Sequence, residues 1–162
     1  TRMIVVETGK EECHLQVSLC RMGAEDHRQC LKDGDNTYMN LFVAVALGGA
    51  VGACLRYAIV LLVGHENQGF PYATLIANVL GCAAIGVLLF LIDQRELFNA
   101  HWRAFLVTGI LGSLTTFSTF SYESYTLWMS GERSLAVAAV SANVVVGIIA
   151  VVCGWTVASR LS

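Results

Sequence analysis

The stretch AFLVTGILGSLTTFSTFSYESYTLWM, residues 104–129, is long enough to cross a membrane, yet its middle is crowded with polar side chains. Gly109 and Gly112 lie within a run of hydroxyl groups that ends at Glu123. The hydroxyls belong to Thr108, Ser113, Thr115, Thr116, Ser118, Thr119, Ser121 and Tyr122. Because lipid cannot hydrogen-bond to them, we expect them to face a protein interior or a water-filled path, on a broken or distorted helix. The stretch therefore predicts a path for a small ion.

The composition of the whole chain is that of an integral membrane protein. Of its 162 residues, 56% are hydrophobic and 14% charged, and the mean hydropathy is +0.62. No basic stripe favours nucleic acid. The six cysteines form no CxxC pair, which gives a zinc site little support. No intramembrane His or Lys offers a nucleophile–base pair, so we do not expect an enzyme.

Three further apolar runs, at residues 40–63, 72–92 and 135–158, predict membrane helices, which makes four spans in all. Residues 1–38 are polar and weakly patterned, so we expect an N-terminal extension that is disordered or a non-native start. The membrane domain is then 39–162. The few arginines in the loops favour both termini in the cytoplasm. Because the positive charges on the two sides of the membrane are nearly balanced, insertion in both orientations is also permitted.

Four polar side chains lie at a similar predicted depth in the membrane. Because successive spans cross in opposite directions, this depth is counted from the end of odd spans and from the start of even spans. The four side chains are Arg56, Asn78, Glu123 and Asn143, each about 9–12 Å from the same face. Arg56 and Glu123 lie at matching depth, so we expect the two charges to pair or come close. Gly48 and Gly52 form a GxxxG pattern, which predicts close helix packing rather than ion contact.

The residue types near this depth suit a small, strongly hydrated anion. Asn supplies N–H donors and Ser and Thr supply O–H donors, while a phenyl ring has a positive edge. Phe117 and Phe120, three residues apart, share a helix face. A helix break could also turn backbone carbonyls toward a cation near the midplane. These residue types lead to an ion path and do not identify the ion.

Three motifs carry a resemblance to a known family: GGAVGACLRY at 48–57, TLIANVLGCAAIG at 74–86 and GILGSLTTFSTFSYE at 109–123. Together they resemble the Fluc/CrcB family of fluoride channels over residues 39–162. The resemblance implies an all-α membrane protein with a broken third span that forms an antiparallel, dual-topology homodimer in the plasma membrane. It also implies two passive fluoride pores per dimer, which export cytoplasmic fluoride, and a structural sodium ion at the dimer centre.

The resemblance also implies roles for individual residues. The anion path would include Asn78, Phe117 and Phe120, with hydroxyls from Thr74, Ser118 and Thr119, and Asn143 from the fourth span. Arg56 and Glu123 match charged vestibule positions. Gly112 and Thr115 match the positions whose backbone carbonyls bind sodium.

The fourth span departs from the family pattern. Where the family often has Tyr, Ser and Gly at four-residue spacing, this chain has Ala139, Asn143 and Gly147. Asn143 is still a hydrogen-bond donor, so the path can survive the change. Ser113 stands where a second Gly is common.

Two other functions were weighed against the channel. A proton-coupled transporter of the small multidrug-resistance type needs a membrane-embedded acid in its first span, where this chain has Arg56. A non-transporting assembly protein suits the GxxxG pattern but leaves the hydroxyl run and the shared polar depth unexplained.

Overall fold

The computed structural model describes the backbone of residues 24–64, 69–95 and 97–161, and side chains from residue 38 onward within those ranges. Its long helices are α1 (Ala24–Val63), α2 (Tyr72–Arg95) and α6 (Arg133–Leu161). Together with Ala100–Met129, they give four helical stretches long and apolar enough to cross a membrane. The prediction of an all-helical chain with four spans is confirmed for the described residues.

The ends of the spans differ from the sequence prediction. The third stretch begins at Ala100 rather than residue 104, because the side chain of Asn99 caps the helix by accepting a hydrogen bond from Trp102 N at 3.1 Å. The fourth begins at Arg133, just after Gly131, whose φ of 89° turns the chain. Residues 24–38 are helical and residues 1–23 lie outside the described residues, so the prediction for 1–38 stays a prediction.

The third stretch consists of several segments. Helix α3 (Ala100–Arg103) leads into a π-helical segment (Ala104–Leu111), which is followed by the short α4 (Gly112–Leu114) and by α5 (Phe117–Met129). Thr115 and Thr116, between α4 and α5, have extended backbone, with ψ of 151° and 121°. The backbone groups here cannot all find partners within one helix, and other side chains must supply them.

Glycines allow close packing around this stretch. The Gly48 and Gly52 face of α1 lies on the π-helical segment, against the backbone of Phe105, Gly109 and Ile110. Helices α2 and α6 also approach each other closely, with Gly86 against the backbone of Val151 and Gly154 against that of Ala83. Small residues at such crossings let backbones meet without an intervening side chain.

Gly52→Ala is expected to destabilise the fold. A Cβ at this position would meet the carbonyl oxygen of Ile110, which belongs to the backbone and cannot rotate away. We expect a loss of about 1–3 kcal/mol in the free energy of unfolding, measured by denaturation in mixed micelles. Gly147→Ala is the matched control, because its Cβ would meet only the Cys82 sulfur, at 3.4 Å. Equal stability of the two variants would contradict the packing described here.

Candidate functional site

Asn78 holds the non-helical backbone of the third stretch from both sides. Its Oδ1 accepts a hydrogen bond from Thr116 N at 2.8 Å, and its Nδ2 donates to Thr116 O at 3.3 Å. Asn78 lies on α2, half-buried, opposite the point where α4 gives way to α5. One side-chain amide thus pairs with the N–H and C=O groups of a residue that has left the helical conformation.

Thr116 also starts the next helix. Its Oγ1 accepts from Thr119 N at 3.2 Å, which is the hydrogen bond of an N-cap residue, and Thr116 is buried. The same hydroxyl donates to Thr119 Oγ1 at 3.1 Å and lies 3.4 Å from Ser118 Oγ. The hydroxyls of Thr116, Ser118 and Thr119 therefore form a local network around the first turn of α5.

Thr116→Ala is expected to lower the free energy of unfolding by about 1 kcal/mol, because Thr119 N loses its capping oxygen. Thr116→Ser, which keeps the hydroxyl, should restore most of the loss. Thr156→Ala serves as the control, since the Thr156 hydroxyl donates only to Val152 O within a continuous helix. Denaturation in mixed micelles measures all three variants, and a Thr156→Ala loss as large as that of Thr116→Ala would refute the capping role.

Asn143 on α6 extends the contacts of Asn78. Asn78 Nδ2 donates to Asn143 Oδ1 at 2.8 Å, and Asn143 Nδ2 donates to Ala139 O at 3.0 Å. Both amides were placed at one depth by the sequence, and the structure brings them into direct contact. Ala139 itself is fully buried, so its carbonyl is a fixed acceptor one turn before Asn143.

These residues border a cavity of about 390 Å³ with a largely apolar wall. Asn78, Asn143, Thr116, Phe117 and Phe120 are all among its lining residues. The rings of Phe117 and Phe120 meet edge to face, with centroids 5.6 Å apart. Phe120 is buried, whereas 80% of Phe117 is exposed. The cavity thus combines a side-chain amide, a capped helix start and two phenyl rings.

Thr74 and Glu123 form a second contact between α2 and α5. Thr74 Oγ1 donates to Glu123 Oε1 at 2.9 Å, and Thr74 is buried. The sequence did not predict this hydrogen bond, and the predicted approach of Glu123 to Arg56 stays a prediction. Depth along a helix does not fix which way a side chain faces, and Thr74 reaches the carboxylate from the neighbouring helix. Glu123 also borders a smaller cavity of about 240 Å³ together with Tyr122.

Gly112 and Thr115 have carbonyl groups whose usual helical partners are engaged elsewhere. The amide four residues after Gly112 is Thr116 N, which donates to Asn78. The amide four residues after Thr115 is Thr119 N, which donates to the Thr116 hydroxyl. Gly112 is also exposed. Carbonyl oxygens released in this way are the ligands that a hard cation prefers, so these two residues fit a sodium site.

The hydroxyl run does not lie on one buried face of the single chain, and the prediction that it faces a protein interior or a water-filled path stays a prediction. Thr116 and Ser124 are buried, whereas Thr108, Ser118, Thr119 and Tyr122 are exposed. Consecutive residues of a helix point about 100° apart, so a continuous run of hydroxyls covers more than one face. Ser121, Ser124 and Thr126 satisfy their hydroxyls by donating to the carbonyl four residues earlier.

Sequence reasoning gave Thr116 no role beyond membership of the hydroxyl run, although the structure places it at the centre of the site. The available signal was the capping pattern, a Thr directly before the helical sequence FSTFS. Its contact with Asn78 joins positions 38 residues apart, and no local pattern indicates such a contact.

Comparison with known proteins gives one consistent result. Residues 43–155 match the family model described as CrcB-like protein, Camphor Resistance (CrcB). A Chloroflexus aurantiacus protein named Fluoride-specific ion channel FluC is 48% identical over 117 residues, 72% of this chain and 93% of the relative. Proteins of the same name from Paracoccus denitrificans and Aquifex aeolicus are 43% and 40% identical, over 74% and 76% of this chain and 95% and 100% of the relatives.

Proposed function

The chain belongs to the CrcB family, and we propose that it is a fluoride-selective passive channel. The observation that carries the proposal is the cavity bounded by the Asn78 amide, Phe117 and Phe120, in a chain whose relatives are named fluoride-specific ion channels. The chain is a multi-pass protein of the plasma membrane, with four helical stretches that can span a bilayer. The proposed function is conduction by a channel and not catalysis.

The proposed anion path follows the donors around the cavity. Fluoride must exchange its water for other donors, which Asn78 supplies as N–H groups and Ser118 and Thr119 as hydroxyls. Phe117 and Phe120 would present ring edges, where the aromatic quadrupole is positive. Thr74 lies one turn before Asn78 on α2 and Glu123 three residues after Phe120 on α5, and with Arg56 they are proposed as the polar vestibule.

The proposed assembly is an antiparallel homodimer with two pores. Its support is the surface around Phe117, a ring that is 80% exposed beside the exposed hydroxyls of Ser118 and Thr119. Lipid leaves hydroxyl groups without hydrogen-bond partners. A second copy with the opposite orientation would cover this surface and complete a water-filled path, and the near-balanced loop charges permit that orientation.

A structural sodium ion fits the same proposal. Gly112 and Thr115 would hold it through their carbonyl oxygens, whose helical N–H partners are bound to Asn78 and Thr116 instead. The ion would supply positive charge at the point where the helix is interrupted.

The proposed physiology follows from acid chemistry. Hydrogen fluoride is a weak acid that crosses lipid when neutral and dissociates in a near-neutral cytoplasm, where the anion is trapped. A passive fluoride pore would let the negative membrane potential drive the anion out of the cell.

Anion efflux from proteoliposomes tests the proposal. The purified full chain is reconstituted into vesicles loaded with potassium fluoride or potassium chloride, and an ion-selective electrode follows release after a potassium ionophore is added. Fast fluoride release with chloride retained is expected. Retention of both anions by vesicles that contain folded protein would contradict the proposal, as would equal release of the two.

A further inference from the structure

The orientation of the Asn78 amide is fixed by groups that can act in one way only. The N–H of Thr116 can only donate, so the Asn78 atom that faces it at 2.8 Å is the carbonyl oxygen. The carbonyl of Ala139 can only accept, so the Asn143 atom that faces it at 3.0 Å is the amide nitrogen. The remaining atoms, Asn78 Nδ2 and Asn143 Oδ1, then face each other at 2.8 Å as donor and acceptor.

The result is one directional chain of hydrogen bonds between α6 and the start of α5. Thr116 N donates to Asn78, Asn78 donates to Asn143, and Asn143 donates to Ala139 O. Hydrogen bonds that point the same way in a poorly solvated site polarise and strengthen one another. The chain holds both amides in a single orientation.

The two hydrogens of Asn78 Nδ2 are therefore not equivalent. The bond to Asn143 Oδ1 is short, at 2.8 Å. The bond to Thr116 O is 3.3 Å, just beyond the usual range of about 2.7–3.2 Å, and is the weaker of the two. An anion that enters the cavity at Asn78 competes more easily for the hydrogen in the longer bond.

We propose that Asn143 is a positioning residue that takes one amide hydrogen of Asn78 and so determines which hydrogen fluoride meets. The proposal rests on the proposed fluoride function for its ligand, and on the hydrogen-bond chain for its geometry. In this role Asn143 accepts a hydrogen bond from Asn78 through its Oδ1. A direct contact between Asn143 and the anion would not require that acceptor. Variants that keep or remove the acceptor therefore distinguish positioning of Asn78 from direct contact with the anion.

The first test observes the Asn78 side chain directly. The full chain has six asparagines, so selective ¹⁵N-asparagine labelling gives a simple NMR spectrum in detergent, and Asn78→Asp identifies the Asn78 signals by their loss. With fluoride absent, Asn143→Leu should shift one Asn78 amide proton upfield and speed its hydrogen exchange about tenfold, because a bond of about 1.4 kcal/mol is lost. Asn143→Asp keeps an acceptor oxygen beside Asn78, although it loses the donor to Ala139 O, and should leave that proton better protected than Asn143→Leu does.

The controls keep the test decisive. Asn99→Leu changes an asparagine outside the cavity and should leave the Asn78 signals unchanged. If Asn143→Leu does not fold, Asn143→Ser replaces it, since the shorter side chain withdraws the acceptor. Asn78 signals that are the same with and without the acceptor would overturn the proposal, as would equal exchange in Asn143→Leu and Asn143→Asp.

Fluoride efflux provides the second test. Asn143→Leu should slow fluoride release about tenfold with chloride still retained, because the Asn78 hydrogen is no longer directed. An efflux rate equal to that of the unmodified chain would overturn the positioning role in conduction. If the unmodified chain releases no fluoride, the proposed function fails, while the NMR comparison still decides whether Asn143 orients Asn78.

Discussion

Replacing Phe117 and Phe120 together by isoleucine is expected to slow fluoride efflux about 5- to 150-fold. Isoleucine is apolar and fills much of the same space but has no positive ring edge. Two lost ring contacts of about 0.5–1.5 kcal/mol each, about 1–3 kcal/mol together, amount to about 5- to 150-fold in rate. Both rings line the cavity beside Asn78, at a centroid separation of 5.6 Å. Proteoliposome efflux measured with a fluoride electrode gives the rates.

A matched control separates ring chemistry from packing. Phe42 is exposed like Phe117, and Phe90 is buried like Phe120. Neither Phe42 nor Phe90 lines the cavity. The double variant Phe42→Ile, Phe90→Ile should keep fluoride efflux within about twofold once the amounts of folded protein are matched. An equal loss of fluoride efflux in both double variants would show that the loss comes from impaired folding. Phe117 and Phe120 would then have no specific role in the proposed anion path.

Asn78→Leu is expected to have the second large effect, on stability and on efflux together. Leucine has a similar volume but leaves three groups without the partner they have now: the N–H and C=O of Thr116, and Asn143 Oδ1. Because an unpaired buried polar group costs about 1–3 kcal/mol, we expect the free energy of unfolding to fall by about 3 kcal/mol or more. Denaturation in mixed micelles, followed by tryptophan fluorescence, measures the change.

Asn78→Asp separates the effect of this side chain on stability from its effect on fluoride efflux. The carboxylate keeps an acceptor for Thr116 N but loses both amide hydrogens, so stability should lie between the unmodified chain and Asn78→Leu. Fluoride efflux should be lost in both variants, since neither offers an N–H group and the aspartate adds negative charge in the path. Fast fluoride efflux through Asn78→Leu would show that this amide is not an anion ligand.

The four spans could be predicted from the sequence because the requirement is simple. A helix that crosses a bilayer needs about 20 mostly apolar residues, and the part of the chain that the structure describes contains four such runs. The ends of the spans were less predictable, because they depend on local caps such as Asn99 and on the turn at Gly131. Gly109 and Gly112 predicted a broken or distorted third span, but nothing in the residue pattern specifies that residues 104–111 are π-helical.

Several residues of the candidate site could be named from the sequence, but Thr116 and the contacts between the residues could not. Counting residues from the membrane face placed Asn78 and Asn143 at one depth, and they are hydrogen-bonded at 2.8 Å. The same counting predicted a pairing of Arg56 with Glu123, which stays a prediction, and gave no indication that Glu123 accepts a hydrogen bond from Thr74. Depth is one coordinate out of three, and the direction in which a side chain faces around its helix is decided by packing.

The most direct test of a fluoride-selective channel is the reversal potential in a planar lipid bilayer. With sodium fluoride on one side and an equal concentration of sodium chloride on the other, the full chain should give current steps whose reversal potential lies far from zero, with the sign set by the fluoride gradient. That result would establish both passive conduction and selectivity. A reversal potential near zero would mean that fluoride and chloride permeate equally, and would contradict the proposed selectivity.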